Sequence, residues 1–316
     1  MTYSAPVTTC YRHPGREAGV RCTRCDRPIC PDCMREASVG FQCPECVAQG
    51  RRTQRPVRTA FGGSSAGLHG YATITLIATN VLMFLLSLAS AGNVGRAVYG
   101  GGLGGLLGGT TPLLYKLAVI GPSFQVSGNQ ISYQTTTHLP GFTEYVGVAD
   151  GNYYRLVTAM FMHYGLLHLA MNMWALWILG RDLEAALGPV RFLALYLICG
   201  LGGNVAAYLF QPEALSAGAS TAIFGLFSAL FLVLRRLGRN ASAVLPVIVI
   251  NLIFTLTVPG ISIAGHLGGL VTGGLVGAGL AYAPRANRGL VQAGVCVAAL
   301  LLLVALTVVG TNRLTG

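Results

Sequence analysis

Gly218-Ala219-Ser220-Thr221-Ala222-Ile223-Phe224-Gly225-Leu226 places a serine among small residues at the point where an apolar helix begins. Further along, Gly265-His266-Leu267-Gly268-Gly269 sets a histidine inside a second apolar, glycine-rich helix. A hydroxyl at a helix start and an imidazole at membrane depth point to nucleophilic chemistry carried out within a membrane.

The composition supports that setting. Of 316 residues, 53% are hydrophobic and 10% charged, whereas a soluble domain carries about 25% charged residues. The chain therefore reads as an all-α polytopic membrane protein. Its formal charge of +11 is concentrated, with ten of the 21 Lys and Arg in residues 1 to 58. Anionic lipid and the positive-inside bias account for this without a nucleic-acid partner. The first 60 residues lack a continuous apolar core, so no cleavable signal peptide is expected.

Seven of the nine cysteines precede residue 47, six in Cys-x2-Cys pairs and the seventh paired with a histidine. Cys10-x2-His13, Cys22-x2-Cys25, Cys30-x2-Cys33 and Cys43-x2-Cys46 supply eight ligands, enough for two closed tetrahedral zinc sites. Such spacing argues for metal and a reducing compartment rather than disulfides. The segment is too short for a core of its own, so two structural zinc ions would supply its folding free energy. A resemblance to B-box and RING-like fingers implies cross-bracing, first pair with third and second with fourth. Cys199 and Cys296 sit singly in apolar runs and are expected only to pack.

Residues 1–48 form this finger, and 49–69 read as an Arg-, Gly- and Ser-rich linker. Arg51, Arg52, Arg55 and Arg58 there would hold the N-terminus in the cytoplasm. Seven apolar runs follow, near 70–91, 165–180, 190–210, 220–234, 243–258, 262–282 and 289–310, each tested against a span of about 20 residues. With the N-terminus inside, the inner loops hold Arg181, Arg191, Arg235, Arg236, Arg239, Arg285 and Arg288. The outer segments hold only Arg96, Lys116, Arg155 and Arg313. The fourth run is short: 15 residues reach ~22 Å across a core of about 30 Å. With Arg235-Arg236 anchored at the inner surface, Ser220 lies below the outer one, at a recessed helix end that needs a cavity. The long outer loop, 92–155, is too interrupted to span. It opens on the glycine run Gly100 to Gly109 and could lie partly in the interface or be partly disordered, so no structure is assigned to 92–112.

A third cluster, His163-x4-His168-x3-Asn172, enters the second span, and His168 and Asn172 are one helical turn apart. Ser220 and His266 both lie near outer ends of antiparallel helices, hence at similar depth. Gly265, Gly269, Gly273 and Gly277 form a smooth face for close helix contact. No Asp or Glu lies in either of these two spans, so a catalytic unit here would be a dyad. Against this, an isolated serine in a membrane helix usually bonds its own backbone, and glycine repeats often serve only packing.

Together these motifs resemble the rhomboid family of intramembrane serine proteases over residues 70–282. The order matches, with Tyr154-Arg155, His163 to Asn172, Gly218 to Thr221 and Gly265 to Gly269. The resemblance implies a six-helix rhomboid-like bundle, with residues 283–316 adding a seventh, C-terminal transmembrane helix and tail. It implies Ser220 as nucleophile, His266 as general base, and an oxyanion hole of His168, Asn172 and the Ser220 backbone. Supporting roles fall to His163, Gly218, Phe224 packed on the histidine, Arg155 and Glu184. Tyr154 stands where the family usually has Trp, and Thr221 where it has Gly or Ala, so its β-branch could crowd the nucleophile.

The implied reaction is hydrolysis of peptide bonds in or near transmembrane segments of other proteins, with no catalytic cofactor. Substrates would carry helix-destabilising segments, the finger would meet a cytoplasmic protein partner, and the site would open away from the cytoplasm. The alternatives are a catalytically silent rhomboid relative that binds membrane proteins, and a ligase or adaptor built around the finger. A transporter is disfavoured, because no acidic residue is available for coupling.

Overall fold

The computed structural model describes residues 8–53, 57–65, 70–99, 108–128, 130–133 and 138–316, without the side chains of 96 and 99. Arg55, the side chain of Arg96, the run from Gly100 to Leu107, and the parts of the finger and linker at 1–7 and 66–69 lie outside the described residues. The chain divides into two compact units, Met1–Val57 and Arg58–Gly316.

The first unit holds two antiparallel ribbons of two-residue strands, β1 (Val20–Arg21) with β2 (Pro28–Ile29) and β3 (Arg35–Glu36) with β4 (Phe41–Gln42). Helix α1 (Pro44–Thr53) follows. Its interior is mostly sulphur, since Cys10, Cys22, Cys30, Cys33, Cys43 and Cys46 are buried alongside Ala18 and Ile29. Apolar burial on this scale is too small to hold a fold by itself.

The second unit is mostly helical. It runs through α2 (Tyr71–Ala89), α3 (Val94–Tyr99), α4 (Pro112–Leu117), α5 (Arg155–Thr158), α6 (Leu166–Leu187) and α7 (Pro189–Phe210). It continues through α8 (Ser220–Arg236), α9 (Val244–Thr257), α10 (Ile263–Tyr282) and α11 (Arg288–Thr315). Four of these, α2, α7, α10 and α11, are long and apolar enough to cross a membrane. Helix α9 has only 14 residues, and α8 has 17.

The outer loop is more ordered than its composition indicates. Besides α3 and α4 it forms a three-stranded antiparallel sheet in the order β6-β5-β7, from β5 (Phe124–Ser127), β6 (Gln130–Ser132) and β7 (Thr143–Tyr145). Residues 92–112, left unassigned from the sequence, include α3. The sheet packs through Phe124, stacked on Tyr145 with ring centroids 5.4 Å apart, and Tyr115 meets the Phe124 ring edge-on. Arg155 ties the loop down. Its guanidinium is buried and donates to the carbonyls of Val146, Tyr115 and Ala118, each at 2.7 Å.

Two helices outrun the apolar stretches that announce them. The second apolar run stops at 180, yet α6 continues through Arg181, Asp182 and Glu184 to Leu187. Glu184 is fully buried because its carboxylate accepts from the N–H groups of Ala72 and Thr73 and from Thr73 Oγ1, at 2.7–2.9 Å. It thereby caps the first turn of α2, where the helix dipole favours a negative charge. Helix α8 likewise includes Arg235 and Arg236, which lengthens it to ~25 Å.

Helix α10 lies against both α7 and α8. A Cβ on Gly269 would strike the Thr221 backbone, one on Gly273 the backbone of Gly225, and one on Gly277 would come within 2.8 Å of Ala229 Cα. Every fourth residue of α10 thus meets every fourth residue of α8, main chain against main chain. Ser228 Oγ adds a 2.7 Å bond to the Leu270 carbonyl across this seam.

Gly273→Ala is expected to lower the unfolding free energy in detergent by about 1–3 kcal/mol through overpacking. Gly274→Ala, whose new methyl would meet nothing within 4 Å, is expected to be neutral or to stabilise by up to about 1 kcal/mol. Thermal or denaturant unfolding of the two variants side by side checks both.

Candidate active site and metal centres

Ser220 is the first residue of α8, where the first N–H groups have no partner within the helix. Its Oγ lies 2.7 Å from His266 Nε2, one turn into α10. Phe224, one turn further along α8, stacks on the imidazole with centroids 4.1 Å apart and planes 17° apart. Thr255, which nothing in the sequence singled out, places its Oγ1 2.7 Å from His266 Nδ1. The histidine is thus held on its face and at both nitrogens.

His168 reaches the same place from α6. A Cβ on Gly218 would lie 3.0 Å from His168 Nε2 and 3.3 Å from Ser220 Oγ, so a side chain there would crowd both groups. Gly218 also has φ +141°, a conformation open to glycine and few other residues. The Tyr164 N–H approaches His168 Nδ1 at 3.5 Å, a long contact consistent with a proton on Nε2. Asn172 spends one amide N–H on the His168 carbonyl at 2.8 Å and retains the other. Ser220, His266, His168 and Asn172 all line one largely apolar cavity of about 610 Å³, which extends between α6, α8 and α9 to Trp174 and Leu234.

Three supporting residues stand apart from it. His163 is buried behind His168, ring centroid to ring centroid 5.1 Å. Arg155 organises the outer loop, and Glu184 caps α2. Thr221 lines the same cavity, with most of its side chain buried. Its side chain fills a notch between two glycines, where a Cβ on Gly203 would come within 2.6 Å of Thr221 Cβ and one on Gly265 within 3.2 Å of Cγ2. Its Cβ and methyl are accommodated there, its hydroxyl is buried with no hydrogen-bond partner among the described residues, and the Ser220–His266 contact is intact. Tyr154 reaches the Lys116 carbonyl at 3.4 Å, and Cys199 packs on Gly225.

In the first unit, eight ligands form two groups of four: Cys10, His13, Cys30 and Cys33, and Cys22, Cys25, Cys43 and Cys46. Within each group the ligand atoms lie within 4.8 Å of one another. This is the cross-braced pairing, first with third and second with fourth. A tetrahedral site with bonds of about 2.3 Å to sulphur has edges of about 3.8 Å. His13 Nδ1 lies 3.3 Å from Cys30 Sγ, 3.5 Å from Cys33 Sγ and 4.0 Å from Cys10 Sγ, and Cys25 and Cys43 are 3.8 Å apart. The donors fit a metal ion.

Their electrostatics fit as well. Burial works against the Cys10 thiolate, but N–H groups of Cys30, Arg12 and His13 outweigh it and bring the thiol down to about 6. Cys22 falls to about 6 in the same way, burial being outweighed by N–H groups of Cys43, Arg24 and Cys25. Cys33 and Cys46 rise to about 11 and about 12, through burial first and then through neighbouring thiols. Full ionisation of either group therefore needs a cation at its centre.

The fold and site define a helical membrane protein with a hydroxyl–imidazole pair at the head of a cavity and two cysteine-rich groups able to hold metal ions. A family model of the Rhomboid domain matches residues 150–283. The chain is 35% identical over 137 residues to the rhomboid relative YdcA of Bacillus subtilis (strain 168), covering 69% of that protein and 42% of this one. It is 37% identical over 171 residues to the rhomboid protease GluP of the same organism, covering 52% of this chain and 32% of that one. With RHOMBOID-like protein 6, mitochondrial, of Arabidopsis thaliana it shares 36% identity over 158 residues, 46% of this chain and 50% of the relative. The chain belongs to the rhomboid family, and it spans about a third of the length of GluP and half that of the Arabidopsis protein.

Metal analysis of the purified full chain is expected to give two bound divalent ions per chain. Cys30→Ser and Cys43→Ser should each lower the count to one, and thiol titration should show the remaining group still protected.

Proposed function

We propose that this protein is an intramembrane serine endopeptidase that cleaves peptide bonds in or near transmembrane segments of membrane proteins. The observation that carries this reading is the 2.7 Å contact between Ser220 Oγ and His266 Nε2, in a member of a family that includes named proteases. In the proposed reaction Ser220 attacks the scissile carbonyl and passes its proton to His266. The oxyanion of the tetrahedral intermediate is met by His168 Nε2–H, the free N–H of Asn172 and the Ser220 backbone N–H. His266 then returns the proton to the leaving amine, an acyl-enzyme forms, and water releases it by the same route.

Residues 70–282 form the protease core in this reading, with six transmembrane helices, and 283–316 add a seventh. Residues 1–48 are a cytoplasmic finger holding two structural zinc ions, joined by the 49–69 linker. Zinc suits a set of seven thiolates and one imidazole in closed four-ligand groups, and it supplies folding free energy rather than chemistry. The arginines of residues 51–58 and of the inner loops favour an N-terminus in the cytoplasm and a site opening on the opposite side. Substrates whose helix unwinds readily are favoured, because the scissile segment must reach a serine at the end of a helix. The finger would bind a cytoplasmic protein.

Cleavage of a single-span model substrate in proteoliposomes tests the reading. Ser220→Ala and His266→Ala are each expected to lower turnover by at least about a thousandfold, with the fold checked by unfolding temperature. A variant that cleaves like the wild type removes its residue from the assigned role. Thr221→Ala is expected to stay within about threefold of the wild type, since its Cβ and methyl pack against α7 and α10 and its hydroxyl makes no hydrogen bond that the change would break.

A further inference from the structure

His266 has two hydrogen-bond contacts, and only one of them belongs to the Ser–His pair. On the other side, Thr255 Oγ1 lies 2.7 Å from Nδ1 and also 2.7 Å from the carbonyl oxygen of Asn251, one turn earlier on α9. A hydroxyl has one proton, and a carbonyl can only accept. The Thr255 proton is therefore committed to Asn251, and the bond to the imidazole forms only if Nδ1 carries the proton and donates. That tautomer leaves Nε2 with its lone pair toward Ser220 Oγ, as a base requires.

We propose that Thr255 is the positioning residue of this dyad, fixing the His266 tautomer through the chain Ser220 O–H to Nε2 and Nδ1–H to Thr255 to the Asn251 carbonyl. The proposal rests on the protease reading above for its consequence, though not for its geometry. Thr255 does without charge what a carboxylate does in a triad: it selects the tautomer and holds the ring plane. A neutral partner suits a buried site, because an Asp or Glu at that depth would be costly to ionise. Thr255 is 2% exposed, and Val244 is the other buried residue of α9, whose remaining side chains are half-buried or exposed. The burial of Thr255 is thus accounted for by the histidine it meets. Phe224 holds the ring face but cannot select a tautomer, so the two contacts are complementary.

Thr255→Val removes the hydroxyl at nearly constant volume, and Thr255→Ser keeps it. With 15N-labelled histidine, the His266 signals are identified by their loss in His266→Gln. The wild type is expected to show protonated Nδ1 and unprotonated Nε2, Thr255→Val a mixture of tautomers, and Thr255→Ser the wild-type pattern. In the cleavage assay Thr255→Val is expected to lose roughly ten- to a hundredfold in kcat with KM within about twofold, and Thr255→Ser to recover most of it. A wild-type His266 protonated on Nε2 overturns the assignment, as does a Thr255→Val protein with a single unchanged tautomer or with wild-type kcat. The spectra decide the tautomer whether or not the wild type cleaves, so an inactive wild type with the expected spectra refutes the protease reading alone.

Discussion

The backbone contact between α8 and α10 is the constraint on which the rest depends. Between helices in lipid there is little hydrophobic drive, and association comes from packing. Thr221, Gly225 and Ala229 on one side and Gly269, Gly273 and Gly277 on the other let the two main chains touch. Ordinary side chains along this seam would hold the axes further apart. Ser220 and His266 sit at the same end of the seam, so the approach of the two helices sets the 2.7 Å distance between the groups.

The two units meet the cost of buried polar groups differently. In the second unit the buried charges are answered by main-chain dipoles: Arg155 by three carbonyls of the outer loop, Glu184 by the first N–H groups of α2. Neither has an ion pair among the described residues, and each fastens a distant segment to the bundle. The first unit has hardly any apolar core. Its buried groups are thiols with opposed acid strengths, and the four-ligand geometry makes a cation the natural centre of each half. Its ion pairs, Arg16 with Asp32, Arg21 with Asp26 and Arg27 with Glu45, all lie at the surface, where such pairs add little.

Much of the helical plan was legible because a membrane-spanning helix announces itself by composition alone. The second and fourth runs were read short for one reason. Charged residues looked like helix ends, whereas Glu184 is answered by partners more than a hundred positions away and the arginines are part of α8 itself. The outer sheet was missed because its strands are three or four residues long in a polar, interrupted segment, too brief for alternation to show. The finger's cross-bracing was implied by its resemblance to B-box and RING-like fingers, and the eight ligands themselves by their spacing. Ser220, His266, His168 and Asn172 stood out as candidates through residue type and spacing, and their meeting at one cavity is a property of the fold.

By itself, then, the sequence determined where the long apolar helices lie, which residues could ligate a metal, and that His168 and Asn172, or Ser220 and Phe224, share a helix face. These follow from local geometry, in which residues three or four apart are neighbours whatever surrounds them. Tertiary structure alone decided that Thr255 meets His266, that Thr221 turns into a notch between Gly203 and Gly265, and that Glu184 caps α2. Contacts across helices depend on the rotation and depth of each helix. Those are set by the packing of the whole bundle, and no spacing within one segment encodes them.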